Sequence, residues 1–162
     1  MRRTTITLLT LLALASITVV VVWAANAHYK NGPTVVDNGL TATATGTIAG
    51  LGNGNVLATL SFPNATGTTT CTNPGGTQAP GQNPAVPAPV TGTKSIGNPK
   101  NGTLSFTVTT DPPDDPTPQA AGCPNNKWSA EFNNITFGCG TLTIQQNQGS
   151  GYVTVLTTQV CL

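Results

Sequence analysis

The stretch CPNNKWSAEFNNITFGCGTLTIQQNQGSGYVTVLTTQVC, Cys123 to Cys161, decides the fold. It holds three of the four cysteines and Trp128, the one tryptophan outside the N-terminal apolar run. Leu142 and Ile144 alternate with Thr141, Thr143 and Gln145; after Asn147-Gln148-Gly149-Ser150-Gly151 a second extended run carries Val153 to Val160. Two such runs across a Gly-containing connection predict an antiparallel hairpin. If residue i pairs with residue 300 − i, Ile144 lies opposite Leu156, Leu142 opposite Thr158 and Cys139 opposite Cys161. That register puts Leu142, Ile144 and Leu156 on one face and both sulfurs on the other, because directly opposed residues share a face. A one-residue slip would part the sulfurs and scramble the apolar face. The expected bridge is Cys139–Cys161, and by elimination the other is Cys71–Cys123. Zinc ligation is the competing use of four cysteines, but it favours close pairs such as C-x-x-C, and none occurs here.

Toward the N-terminus, Leu40, Ala42, Ala44, Gly46 and Ile48 alternate with threonines, which predicts a strand with a small-residue inner face. Val56, Ala58, Leu60 and Phe62 repeat the spacing of two after Gly50-Leu51-Gly52-Asn53-Gly54, and the pair reads as a second hairpin. The segment from Asn73 to Val90, NPGGTQAPGQNPAVPAPV, reads as an extended surface loop, since prolines remove ladder donors. Thr91 to Ile96 predicts a short edge strand, and Leu104, Phe106 and Val108 another inward face. The run DPPDDPTP, Asp111 to Pro118, breaks the chain again. Trp128, Ala130 and Phe132 are then followed by Ile135 and Phe137, a phase switch at Asn133-Asn134 that a β-bulge would produce. No segment after the N-terminal run has a helical apolar period. About eight short strands predict an all-β chain, an antiparallel two-sheet β-sandwich with immunoglobulin-like Greek-key connections and two disulfides, in which Trp128 packs on the bridge from Cys71 to Cys123.

Arg2 and Arg3 precede an apolar stretch from Ile6 to Ala25 that ends in Ala25-Asn26-Ala27. This is the pattern of an export signal spanning residues 1–27, leaving 28–162 as a single secreted domain of 162 − 27 = 135 residues. The run is also long enough to span a bilayer, so an uncleaved anchor is the alternative; after cleavage no membrane association is expected. Loss of the two arginines takes the charge balance from 6 − 5 to 4 − 5, which leaves no basic stripe for nucleic acid. Four cysteines behind an export signal fit an oxidising, extracellular location.

The chemistry-bearing residues are few. His28, the only histidine, would become the mature N-terminus, as in copper proteins that chelate through amine and imidazole, but those sites need a second histidine. Asp111, Asp114 and Asp115 put three carboxylates within five residues, yet Pro112 and Pro113 match no EF-hand spacing, and a solvated loop is the simpler reading. Glu131, the only glutamate, alternates out of phase with Trp128 and Phe132 and is expected at the surface. Neither a Ser-His-Asp triad nor a carboxylate pair is readily assembled from this inventory. No catalytic residue, cofactor or metal is therefore assigned, and the chain reads as a non-enzyme. Asn64, Asn101 and Asn134 head N-glycosylation sequons, which matter only in a host that glycosylates exported proteins.

CTNPGG (Cys71 to Gly76), PGQNP (Pro80 to Pro84) and GCPNNKW (Gly122 to Trp128), with the HYKNGP start at His28 and TATGTIAGLGNG at Thr43, resemble a family of small, largely uncharacterised secreted bacterial proteins. The resemblance covers most of the mature domain and implies export, a bacterial source and a β-rich fold; it transfers no catalytic residue. The functional expectation is a structural or surface-interaction domain, secreted or envelope-associated. The alternative is a carbohydrate-binding or adhesive module that contacts a cell-surface or matrix polysaccharide or protein through Tyr29, Tyr152 and the Asn73–Val90 segment.

Overall fold

The structure, a computed structural model, describes residues 26–162. The export-signal reading therefore lies, for residues 1–25, outside the described residues. Ten strands follow: β1 His28–Asp37, β2 Ala42–Ala49, β3 Val56–Phe62, β4 Thr66–Thr72, β5 Gln78–Pro80, β6 Val90–Gly97, β7 Leu104–Thr109, β8 Ser129–Thr136, β9 Cys139–Asn147 and β10 Tyr152–Cys161. No described residue is helical. All pairing is antiparallel, in sheets ordered β1-β2-β7, β10-β9-β3-β6 and β5-β4-β8.

The first two sheets face each other over one apolar core. Ala42, Ala44, Ile48, Phe106 and Val108 come from one sheet; Val56, Ala58, Leu60, Phe62, Leu142 and Ile144 come from the other. The small inner face of β2 has a packing reason. A Cβ on Gly46 would sit 2.8 Å from the Phe106 ring, so the glycine makes room for that aromatic. Phe62 and Phe137 pack in the same core with ring centroids 5.0 Å apart and planes tilted by 55°.

β9 and β10 pair as the alternation requires, with Cys139 opposite Cys161, Leu142 opposite Thr158 and Ile144 opposite Leu156. The register shifts between Thr154 and Leu156, where Val155 is accommodated as a bulge, so the hairpin reaches its connection one residue out of the simple count. Both disulfides form as expected, Cys71–Cys123 and Cys139–Cys161. The edge strand read at Thr91–Ile96 is β6, at the end of its sheet. The phase switch in β8 is a bulge: Thr68 pairs with Asn134 and Thr69 with Phe132, which leaves Asn133 as the extra residue.

Three expectations are corrected. The β2 and β3 runs do not form a hairpin: β2 pairs with β1 and β7, β3 with β6 and β9, so Gly50–Gly54 carries the chain from one sheet across to the other. Alternation cannot separate these outcomes, because a strand entering the opposite sheet needs the same period. The crossing loop is held by Gln146, which is 1% exposed. Its side-chain oxygen accepts from Gly52 N (3.1 Å) and its amide donates to Gly52 O (2.6 Å), tying the crossing loop to β9.

Second, there is a third sheet, and it grows out of the sandwich. Ser61 pairs with Thr141 and Thr66 with Thr136; both pairs sum to 202, so the β3–β9 ladder and the β4–β8 ladder keep one register through the interruption. The ribbon bends where Pro63-Asn64-Ala65 faces Phe137-Gly138, and Gly138 takes φ +67° there, a conformation that side chains disfavour. Third, the proline-rich segment is not a free loop. β5 pairs with β4, Gly67 N donates to Pro84 O (3.1 Å) and Val86 N donates to Ala65 O (2.9 Å), so the segment lies along β4 as a broken edge. A proline retains its carbonyl acceptor and can serve such an edge from one side.

Trp128 packs against a small separate cluster of Cys71, Ala121 and Ala130, together with Cys123. The packing of Trp128 on the bridge is as expected, but its place differs from the immunoglobulin arrangement. The bridge ties the third sheet to the connection between β7 and β8 and does not span the two facing sheets.

Candidate functional site

The outer faces of the sandwich carry hydroxyl rows. Across the four-stranded sheet, Thr157, Thr143, Thr59 and Thr93 stand in one row, and Gln159, Thr141, Ser61 and Thr91 in the next. The hydroxyls of Thr59 and Thr93 lie 3.0 Å apart and those of Ser61 and Thr91 2.8 Å. The other sheet repeats the pattern with Thr34, Thr45 and Thr107 in one row, flanked by hydroxyl pairs Thr43–Thr109 (2.9 Å) and Thr47–Ser105 (3.0 Å). The rows follow from threonine at alternate positions in strands that pair in register; cross-strand Thr–Thr and Thr–Ser pairs also favour that register. No charged side chain belongs to any of these rows.

The third sheet adds a shallow groove of about 470 Å³ between β4, the β5 edge and the β8 bulge. Thr68, Thr70, Gln78, Asn83 and Asn133 line it with hydroxyls and amides. The bulge turns the Asn133 amide toward β4, where it donates to Thr70 Oγ1 (2.6 Å). A smaller cleft of about 160 Å³ lies between Val86–Thr91 and Asp111–Asp114.

The chain matches no known protein family, no curated protein and no solved structure. Function must then be read from these surfaces alone.

The residues singled out from sequence do not converge. Tyr29 points inward: it packs on the sandwich core and on Phe106, with ring centroids 6.3 Å apart. Burial pushes its phenol above the ordinary value of 10.0, while the nearby Thr158 hydroxyl pulls the other way. That approach does not reach hydrogen-bond geometry, so the buried Tyr29 oxygen is left without a partner among the described residues. Tyr152 is 41% exposed and its hydroxyl accepts from Asn55 Nδ2 (2.9 Å). The two tyrosines are apart, since Tyr29 approaches Thr158 near the Cys161 end of β10 and Tyr152 begins that strand. A joint ligand contact by the pair is not what the fold builds.

His28 opens β1 and its Nδ1 donates to the Asn26 carbonyl (2.6 Å), which places the ring proton on that nitrogen. Asp111 and Asp114 border the smaller cleft, whereas Asp115 turns away and accepts from Phe132 N (3.1 Å) beside the bulge. Among the described residues no three His, Cys, Asp or Glu side chains gather in metal-binding geometry. Glu131 is exposed, opposite Thr70. Asn64, Asn101 and Asn134 are all exposed, Asn64 at the ribbon bend and Asn101 at a turn with φ 52°.

Sequence reasoning missed the groove. Its members come from four separated stretches, and the bulge that aims Asn133 was visible only as a phase switch. The hydroxyl rows were legible as alternating threonines, although their alignment into rows depends on a strand order that alternation does not encode.

Proposed function

We propose that this chain is a non-enzymatic, exported structural or surface-interaction domain that works outside the cell through its broad outer faces. The observation that carries the reading is the set of in-register, uncharged hydroxyl rows on both sides of a disulfide-clamped sandwich. Rows of hydroxyls at strand spacing present many weak hydrogen-bonding groups without a long-range field, which suits contact with an extended polar surface such as envelope or matrix material. The two bridges fit an oxidising compartment, and no described helix is long and apolar enough to cross a membrane.

The test is fractionation of the producing culture. Retention of most of the protein with the cell surface or matrix, and its release by disruption of that material, supports the reading. Recovery as a freely diffusing species with no retention overturns it.

A carbohydrate-binding or adhesive role is the second reading, favoured by the groove of Thr68, Thr70, Gln78, Asn83 and Asn133. Neutral amides and hydroxyls complement the diols of a sugar. Under this reading Asn133→Ala abolishes retention on a polysaccharide column, while Tyr152→Ala, remote from the groove, leaves it unchanged.

A further inference from the structure

We propose that the outer edge of β10 is a strand-addition site that pairs with β10 of a second copy of this chain, joining two four-stranded sheets into one of eight strands. The proposal deepens the surface-interaction reading by naming one contact through which such a domain assembles.

The direction of the backbone groups on β10 is fixed by two independent observations. Cys139 and Cys161 face each other at a Cα separation of 4.0 Å, close to the short spacing of a non-hydrogen-bonded antiparallel pair and far from the roughly 5.5 Å of a bonded one. Leu162 N donates to Gly138 O (2.9 Å), so the next pair along is a bonded one. Alternation then makes Val160, Thr158 and Leu156 the residues bonded to β9. Thr157, Gln159 and Cys161 turn their N–H and C=O groups outward. No hydrogen bond to these outward groups exists among the described residues.

Every other sheet edge carries a protecting device of a recognised kind. β8 is covered, because Ile135 N donates to Gly39 O and Phe132 N to Asp115 Oδ1. β5 is three residues long and ends in Pro80. β1 contains Gly32-Pro33 and two register irregularities. β6 carries exposed Lys94, and its Thr91 carbonyl accepts from Asp111 N. β7 is short and lies against β6, where a Cβ on Gly92 would overlap the Thr109 carbonyl. β10 has ten residues with neither charge nor proline, and its single bulge at Val155 leaves Leu156–Cys161 regular.

The occupant follows from symmetry. An antiparallel strand meeting its own copy across a two-fold axis at Gln159 places Gln159 opposite Gln159 and Thr157 opposite Cys161. All three outward-bonding residues on each copy then find partners, giving six N–H···O bonds. A charge on this edge would repel itself across the axis, and β10 has none. One strand pair is a small interface, so the association is weak and concentration-dependent.

The test is sedimentation of the exported protein, both disulfides intact, from about 1 µM to about 1 mM, a range suited to weak complexes. The expected result is a rise from monomer to dimer mass with no larger species. Gln159→Pro, which removes an outward N–H and leaves the β9 ladder intact, and Gln159→Lys, which sets two like charges directly opposite each other at the axis, should each weaken dimerisation at least tenfold. Amide exchange supplies a readout independent of any substitution: the Thr157 and Gln159 amides should slow at least tenfold across that concentration range while the exposed Gly149 amide does not change. A monomer throughout, concentration-independent exchange, or a dimer that survives undiminished in folded Gln159→Lys protein overturns the proposal. A monomeric protein still retained at the cell surface overturns it while leaving the functional reading in place.

Discussion

Around Cys139–Cys161 the backbone is held by an alternating apolar face, a central strand bonded on both sides and a core containing Phe62, Leu142 and Ile144. Around Cys71–Cys123 the apolar support shrinks to Cys71, Ala121 and Ala130, with Trp128 half-buried against them. There the geometry depends on polar ties. Asn73 Oδ1 accepts from Gly75 N and Thr77 N, Thr69 Oγ1 donates to Gln82 O, and Asp115 caps Phe132. The bridge in the first region overlies a well-packed core; in the second it overlies a small apolar cluster, and the third sheet reaches the main core only farther along, through Phe132 and Ile135. A disulfide's worth therefore depends on what else holds its ends.

That contrast can be broken from either side. Phe62→Ala removes an aromatic that is 0% exposed and packed at a tilt against Phe137, and should lower global stability by about 3–5 kcal/mol in denaturant unfolding. Trp128→Ala should instead loosen the third sheet, seen as faster amide exchange in β4 and β8, with the sandwich amides unaffected. If both substitutions unfold the chain as one unit, the two regions are not separable.

Removing the bridges ranks next. Cys71 and Cys123 are 52 residues apart and Cys139 and Cys161 22 apart. On loop entropy alone the first is worth about 4 kcal/mol and the second about 3. The packing contrast widens that gap in one observable. The double alanine variant at Cys71 and Cys123 should lose the protection of β4, β5 and β8, whereas the variant at Cys139 and Cys161 should keep the β9–β10 ladder. Equal loss of protection in both would refute the comparison.

Gln146→Ala tests whether the crossing between the facing sheets is locked by one side chain. The substitution leaves Gly52 N–H and two loop carbonyls without that amide, and about 1–3 kcal/mol of destabilisation is expected. Exchange at Gly52 should quicken most. The smallest effect belongs to Tyr29. Its folded-state pKa is raised above 10.0 by burial, so the folded form favours the protonated phenol. Stability is unaffected by this group well below pH 10 and falls as pH rises past 10, where the unfolded chain ionises more readily. Tyr29→Phe should abolish that alkaline loss and, by removing a buried hydroxyl without a partner, leave neutral-pH stability unchanged or up to about 1 kcal/mol higher in thermal unfolding.

The sandwich half was legible because its strands alternate strictly and two cysteines fall opposite each other in the register that also buries Leu142, Ile144 and Leu156. The third sheet was half legible: the Asn133 bulge announced itself as a phase change, but the pairing of a proline-rich segment with β4 uses carbonyls that propensity rules ignore. The β2–β3 crossing was not legible, since a hairpin and a crossing share one pattern. Tyr29 is a ligand-contact candidate by residue type alone, and only its packing beside Phe106 of the same sheet, two strands away, shows that it turns inward.

The two bridges have a consequence for force. A pull along the backbone that arrives at Cys161 passes through sulfur to Cys139, and one that arrives at Cys123 passes to Cys71. Residues 140–160 and 72–122, 21 and 51 in number from those separations, lie off the load path. At about 3.4 Å per extended residue, roughly 240 Å of contour length is withheld from stretching. The hairpin with the open edge and the proline-rich segment, together with β6 and β7, stay behind the bridges, so force can draw out only residues 26–71 and 123–139, roughly 210 Å of extended chain.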